Sequence, residues 1–253
     1  MLKEEHLIQI FLCNKHIKFK AFLDYAKSID ADFIATGHYA RVEHHPDEDS
    51  VMLRGVDNNK DQTYFLCQLN QSQLQASLFP IGELTKPEVR KIAEDLNLPV
   101  AHKKDSTGIC FIGERDFREF LKNYIPAKSG KMVDIESGKV VGEHQGIMYY
   151  TIGQRKGLNI GGPGDAWFVV GKEYDQNILY VCQGDQNDWL MSDGALITDV
   201  NWISNDKPTE EYDCTAKFRY RQPDNDVSIH FVDETTIYVT FKKPIKAVTP
   251  GQA

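Results

Sequence analysis

The sequence predicts an α/β region followed by β structure, and three observations carry that prediction. Helical periodicity over 14–28 runs directly into a short β-rich apolar run, DFIAT at 32–36. Ten of the 18 glycines fall within residues 130–171. From Trp167 onward, seven strand-like runs follow one another, separated by Gly, Pro, Asn or Asp. At about 100 to 200 residues per domain, 253 residues accommodate two domains or three small ones. The divisions expected are 1–111 for the α/β part, 112–190 for a small Gly-rich central domain, and 191–253 for an incomplete β-barrel.

In chain order, residues 14–28 set Ile17, Ala21 and Tyr25 at i, i+4 and i+8, predicting an amphipathic helix with Lys15, Lys18 and Lys27 toward solvent. DFIAT reads as a strand, and Gly37-His38-Tyr39 follows it at once. In open α/β sheets ligands sit beyond the carboxyl ends of strands, where a glycine lets backbone approach a ligand closely. Residues 40–55 predict a hairpin around the turn PDEDS. Thr85-Lys86-Pro87-Glu88 is a capping box with Pro in the first turn, opening a helix with Val89, Ile92, Ala93 and Leu96 as its apolar stripe. Val100-Ala101 reads as one more short strand, 102–111 as a turn, and 114–124 as a helix with Phe117, Phe120, Leu121 and Tyr124 on one face. The runs WFVVG, NILYVCQ, ALITDVNWI, DCTAKFRYRQ, VSIHFVD, TIYVTF and IKAVT predict a small antiparallel barrel. On strand 213–221, alternation would place Lys217, Arg219 and Arg221 on one face.

Composition narrows the function classes. Lys and Arg number 29 against 37 Asp and Glu, a net charge of −8, so bulk attraction to nucleic acid or anionic membrane is excluded and any RNA site must be a local basic patch. No apolar run approaches the roughly 18 residues needed to span a bilayer, which points to a cytoplasmic protein without membrane partners. The five cysteines, Cys13, Cys67, Cys110, Cys182 and Cys214, are odd in number and far apart, which suits neither a disulfide framework nor a zinc site. No tightly bound metal is implied by any His, Cys or carboxylate spacing.

Among residues that could carry chemistry, Cys110 follows a Gly turn and lies downstream of His102, Lys103 and Lys104, neighbours that favour the nucleophilic thiolate. A buried cysteine used as a small apolar side chain reads the same way. Cys13, ahead of a Lys-rich helix, carries a weaker form of the argument, whereas Cys67, Cys182 and Cys214 lie in apolar patterns. Lys60-Asp61-Gln62 fits either a solvated loop or phosphate and base-edge contacts. Gly153-Gln154-Arg155-Lys156-Gly157 is a stronger basic element, because flanking glycines free the backbone while Arg and Lys offer phosphate donors. His38 reads as a base, an RNA contact or a structural imidazole. Neither G-x-x-x-x-G-K-[ST] nor G-x-G-x-x-G is present.

The blocks CNKHIKFKAF, ATGHYAR, LRGVDNNKDQTYFL, KDSTGICFIGERDFREFL, EHQGIMYYTIGQRKGL and AVTPGQ together resemble the tRNA-specific 2-thiouridylases, from about Leu12 to Ala253. The resemblance implies the remainder of a PP-loop ATP-pyrophosphatase domain, a small central domain and a C-terminal β-barrel. It implies ATP as cofactor, with Mg expected alongside it, and tRNA and a sulfur-donor protein, a cysteine desulfurase or relay protein, as partners. In that family the C2 oxygen of the wobble uridine, position 34, is activated as an adenylate and replaced by persulfide sulfur. Matched to the motifs here, Cys110 bears the persulfide and Cys13 is the nucleophile that resolves it through a Cys13–Cys110 disulfide. Gly37 touches ATP, and His38, Lys60, Asp61, Gln62, Arg219, Tyr220 and Gln252 contact tRNA.

Two departures accompany the resemblance. The family's S-G-G-x-D-S phosphate loop is absent, and Ile10 stands where the family places the Asp of its N-P-D motif. The expectation is a chain cut at both ends and inactive alone, with a noncatalytic tRNA-binding fragment as the alternative and a thiol–disulfide protein using Cys13 and Cys110 as a weaker one.

Overall fold

The computed structural model describes residues 10–103 and 127–251. The turn from Lys104, the helix over 114–124, Cys110 and Gln252 therefore lie outside the described residues.

The N-terminal part starts with α1 (Cys13–Ala21), wound as a π-helix, continuing into α2 (Phe22–Ser28). Its buried side chains are Asn14, Phe19, Leu23 and Ala26, while Ile17 is 57% and Tyr25 61% exposed. The face expected to be buried is thus exposed. The segment carries two apolar stripes, and the i→i+5 bonding, as from Phe22 N–H to the Ile17 carbonyl, shifts the angular phase that 3.6-residue counting assumes. The larger stripe, with Phe19 and Leu23, wins the core, where each such side chain contributes about 2 kcal/mol of burial.

Strand β1 (Ile34–Ala35) does form within DFIAT, and it pairs in parallel with β4 (Ser77–Leu78), a strand the sequence did not announce. Between them lie the expected hairpin, β2 (Ala40–Glu43) with β3 (Val51–Arg54), a 3-10 turn at Thr63–Leu66, and α3 (Gln71–Gln75). Helix α3 is closed by a reciprocal Asn70–Gln73 cap. Helix α4 (Lys86–Asp95) is the capped helix expected, the Glu88 carboxylate accepting from both the backbone N–H and the hydroxyl of Thr85 at 2.7 Å. No residue of α4 is buried, so capping rather than packing defines it. Val100-Ala101 forms a turn and not a strand.

The middle part is a four-stranded sheet in the order β6-β5-β8-β7, from β5 (Gly130–Asp134), β6 (Val140–His144), β7 (Trp167–Glu173) and β8 (Ile178–Gln183). WFVVG and NILYVCQ thus belong to this sheet rather than to the C-terminal barrel. Local alternation cannot report which sheet a strand joins; Met132, Val169, Leu179 and Val181 decide it by sharing one core. The third part is a sheet in the order β10-β11-β12-β9, from β9 (Met191–Ile197), β10 (Tyr212–Ala216), β11 (Asn225–Phe231) and β12 (Ile237–Lys246). Its pairs are antiparallel, as expected, and none of the described sheets closes. Strand β10 stops at Ala216, and 217–221 is a turn with Arg221 at φ +68°, so the Lys217/Arg219/Arg221 alternation does not exist.

Among the described residues, side-chain hydrogen bonds tie the N-terminal and C-terminal parts together at three points. Arg54 donates to both carboxylate oxygens of Asp224 at 2.6 and 2.8 Å. The Asn201 amide donates to the carbonyls of Cys67 and Leu69, and Asp49 accepts from Ser204 and Asn205.

Candidate functional site

The expected site residues gather around the Thr63–Leu66 turn. Cys13 opens α1 and is partly exposed, and its neighbour Asn14, 1% exposed, donates its amide to the Phe65 carbonyl at 2.8 Å. The Lys15 ammonium donates to Gln68 Oε1 at 3.1 Å, and the Lys15 carbonyl accepts from the Gln73 amide. Cys13 therefore rests on a helix end fixed to two other elements. Among the described residues the Asn14 Oδ1 has no hydrogen-bond partner.

At the carboxyl end of β1, the Thr36 N–H donates to the Leu78 carbonyl at 3.0 Å and extends the parallel pairing to the edge of Gly37. Gly37 is exposed, and a Cβ built on it meets nothing within 4 Å. By contrast, a Cβ on Gly82 would lie 1.7 Å from the Ala40 carbonyl oxygen. Packing explains Gly82 and does not explain Gly37. The next residue, His38, is 8% exposed, hydrogen-bonds to Thr36 Oγ1 at 2.9 Å, and lies against the rings of Phe19 and Phe79. Burial, with Lys18 nearby, pushes its pKa down to about 4, so the imidazole is neutral at pH 7.

The Lys60-Asp61-Gln62 segment is folded onto this strand end. Gln62 clasps Tyr39 twice, its Oε1 accepting from the Tyr39 N–H at 3.0 Å and its N–H donating to the Tyr39 carbonyl at 2.9 Å. Asp61 is buried, and its carboxylate accepts from Gly55 N–H at 3.0 Å and from the Thr63 hydroxyl at 2.8 Å. Both side chains are occupied in holding the loop, and Lys60 is half-buried beside them.

From the C-terminal part, the Tyr220 ring packs 4.5 Å from Phe65 and 6.2 Å from Tyr64. Through Phe65 it connects to Asn14 and so to Cys13. Arg219 turns the other way, donating to the Ile152 carbonyl at 2.6 Å and to the Thr249 hydroxyl. It joins the middle part to the C-terminal segment. The structure thus draws Cys13, Asp61, Gln62 and Tyr220 to one turn, with Arg219 beside it, while His38 packs against Phe19 and Phe79 at the end of β1. Sequence reading missed Asn14, Tyr64 and Phe65. The Asn70–Gln73 cap was a readable signal for the neighbouring α3, but nothing local marks an aromatic platform completed from residue 220.

Burial raises the thiols of Cys67 and Cys182 to about 11 and that of Cys214 in the same direction, which fits their reading as apolar side chains. Among the described residues no cluster of His, Cys, Asp and Glu has a metal-holding arrangement, and no helix is long and apolar enough to cross a membrane.

Three family models match the chain in tandem: a tRNA methyl transferase HUP domain over 10–114, a tRNA methyl transferase PRC-barrel domain over 118–183, and an aminomethyltransferase beta-barrel domain over 192–253. They define a three-part protein with a HUP-type α/β domain, a PRC-barrel-like middle and a C-terminal β-barrel domain. Curated relatives named tRNA-specific 2-thiouridylase MnmA narrow the class, at 59% identity over 242 residues in Bacillus cytotoxicus and 58% in Bacillus thuringiensis and Bacillus cereus. The chain belongs to the tRNA-specific 2-thiouridylase family. The alignment takes in 96% of this chain and 65% of each relative's length.

Proposed function

We propose that this chain works within a tRNA 2-thiouridylase, replacing the C2 oxygen of a wobble uridine with sulfur at the expense of ATP. The observation that carries the reading is the 59% identity over 96% of the chain to a tRNA-specific 2-thiouridylase. The open backbone at Gly37 supports it: a glycine that no atom of the described residues requires, at the carboxyl end of a parallel strand, suits a nucleotide lying against the backbone. ATP supplies an adenylate leaving group at C2. The sequence carries no S-G-G-x-D-S loop to hold the phosphates, so within these residues Gly37 serves the nucleoside side alone.

In this proposal Cys110 receives sulfur from a donor protein as a persulfide. The Cys13 thiolate attacks the inner sulfur, the outer sulfur leaves as hydrosulfide, and a Cys13–Cys110 disulfide forms. Hydrosulfide adds to C2 and AMP departs; a thiol reductant then returns two electrons to the disulfide. The step requires Cα atoms within about 7 Å of each other. Lys60, Asp61, Gln62, Arg219 and Tyr220 make the tRNA-facing surface, Asp61 and Gln62 through the loop shape they hold, and the family motif adds Gln252 as a tRNA contact. His38, which the resemblance gives as a tRNA contact, is neutral and buried, and its ring hydrogen bond to Thr36 braces the residue before Gly37.

The test is to incubate the 253-residue polypeptide with ATP, unmodified tRNA and a persulfide donor, measuring pyrophosphate release and 2-thiouridine by nucleoside mass spectrometry. Loss of product in Cys110→Ser and in Cys13→Ser supports the assignment. Retention of tRNA without pyrophosphate release identifies the polypeptide as a tRNA-binding module requiring a phosphate loop from elsewhere. Thiolation intact in Cys13→Ser refutes the resolving role.

A further inference from the structure

The motif that the site above does not use is Gly153-Gln154-Arg155-Lys156-Gly157, and its geometry is that of a prebuilt loop. Gly153 N–H donates to the Val169 carbonyl at 2.7 Å, and Val169 N–H returns a bond to the Gln154 carbonyl at 3.0 Å, so the loop is stitched to β7. The Gln154 side chain closes it internally, accepting from Thr151 N–H at 3.0 Å and donating to the Lys156 carbonyl at 2.9 Å. Arg219 fixes its start through the Ile152 carbonyl. Gly153 and Gly157 both sit in the left-handed region, at φ +79° and +78°, and a Cβ on Gly153 would come within 2.5 Å of Ala247.

This rigid frame presents two exposed cations, Arg155 and Lys156, with no ion pair to any described residue. Arg155 lines two adjoining hollows of about 430 and 350 Å³, which run from the glycine-rich strap at 157–165 to Lys246 on β12. The strap is held as well, because Gln183 donates to the carbonyls of Pro163 and Asp165. Two carboxylates share the hollows. Asp185 is 3.8 Å from the Lys246 ammonium, and Asp165 makes no ion pair with Arg155. The lining of the hollows is balanced, Arg155 and Lys246 against Asp165 and Asp185; the additional cation is Lys156, exposed next to Arg155 on the loop and outside that lining.

Unpaired guanidinium and ammonium groups on a backbone that needs no reordering are what a phosphodiester requires, since preorganised donors bind without the entropic cost of fixing a loop. We propose that Arg155 and Lys156 form a phosphate-binding subsite on the middle domain for the backbone of the tRNA, distinct from the surface around Cys13 and Tyr220. The proposal rests on the tRNA reading above and adds to it a second point of attachment, which fixes the angle at which the RNA meets the site.

The test is a tRNA-binding titration of the 253-residue chain between 50 and 200 mM salt, with Arg155→Ala/Lys156→Ala against Lys139→Ala, an exposed lysine elsewhere on the same domain. Each lost phosphate contact lowers the slope of log K against log salt by about 0.7 to 0.9, so the double variant is expected to lose about 1 to 2 in slope with its thermal midpoint unchanged. A slope equal to that of Lys139→Ala overturns the subsite while leaving the tRNA reading intact. If the unsubstituted chain retains no tRNA, the reading and the subsite fall together. A third arm repeats the titration with ATP or inorganic phosphate at matched ionic strength; if either abolishes the difference between the two variants, the loop binds free phosphate and the polynucleotide assignment is wrong.

Discussion

His38 gives the structure a pH-dependent stability that can be worked out in advance. Its imidazole is 8% exposed, set between Phe19 and Phe79, with Lys18 adding a like charge to disfavour protonation. The folded pKa is about 4 against 6.5 for the free side chain. Because the folded value is depressed, the unfolded chain binds the proton more readily between these limits. Stability is therefore full above pH 6.5 and falls as pH drops toward 4. With each pKa unit worth 1.36 kcal/mol, the loss between pH 7.5 and pH 4.5 comes to about 2.5 kcal/mol. The assay is urea unfolding of the wild-type chain and of His38→Gln at both pH values. Other groups titrate in this window, so the informative quantity is the difference between the two proteins' pH dependences. His38→Gln, which cannot titrate, is expected to lose about 2.5 kcal/mol less than wild type over the interval. Parallel curves for the two proteins would refute the burial argument, as would an NMR titration of His38 with a midpoint near 6.5.

Three further outcomes are expected. Gly82→Ala forces a Cβ to within 1.7 Å of a backbone oxygen and should cost about 3 kcal/mol or more, whereas Gly37→Ala, in open space, should leave stability unchanged or raise it by up to about 1 kcal/mol while weakening ATP binding; equal unfolding midpoints for the pair would contradict the contrast. In a double-mutant cycle, Arg54→Ala and Asp224→Ala should couple by no more than about 1 kcal/mol, because both side chains are more than a third exposed despite the two-point geometry, and coupling above about 2 kcal/mol would show that the pair is far better shielded. Iodoacetamide mapping of the native chain at pH 8 should label Cys67 and Cys182 more slowly than Cys13, since burial keeps both in the thiol form; fast labelling of Cys182 would mean that the middle core opens.

Local chemistry was legible wherever a short stretch of sequence sufficed to form the structure. The Thr85–Glu88 cap and the hairpin around PDEDS depend on neighbours within a few residues, so the sequence determined them alone; the strand within DFIAT was legible as a β-rich run, although its partner at Ser77–Leu78 was not. The same holds for the placement of Gly37 at a strand end and for the apolar reading of Cys67 and Cys182. Family membership was also readable, because it is carried by sequence motifs spread along the chain.

Choices between equivalent local options were left to tertiary structure. Both stripes of the first helix are apolar, and only contact with Phe79 and Leu74 selects Phe19 and Leu23 over Ile17 and Tyr25. Alternation made strands of 167–171 and 177–183, but a parallel pairing of β5 with β8, 47 positions apart at Met132 and Leu179, assigned them to the middle sheet. Arg219 and Tyr220 matched a family motif on what looked like one strand. A left-handed turn at Arg221 sends them to different partners, one clamping the Gly153 loop and the other packing beside Cys13's helix. Residues more than a hundred positions apart leave no periodicity in the sequence, because the energy that joins them is gained only once both surrounding cores have formed.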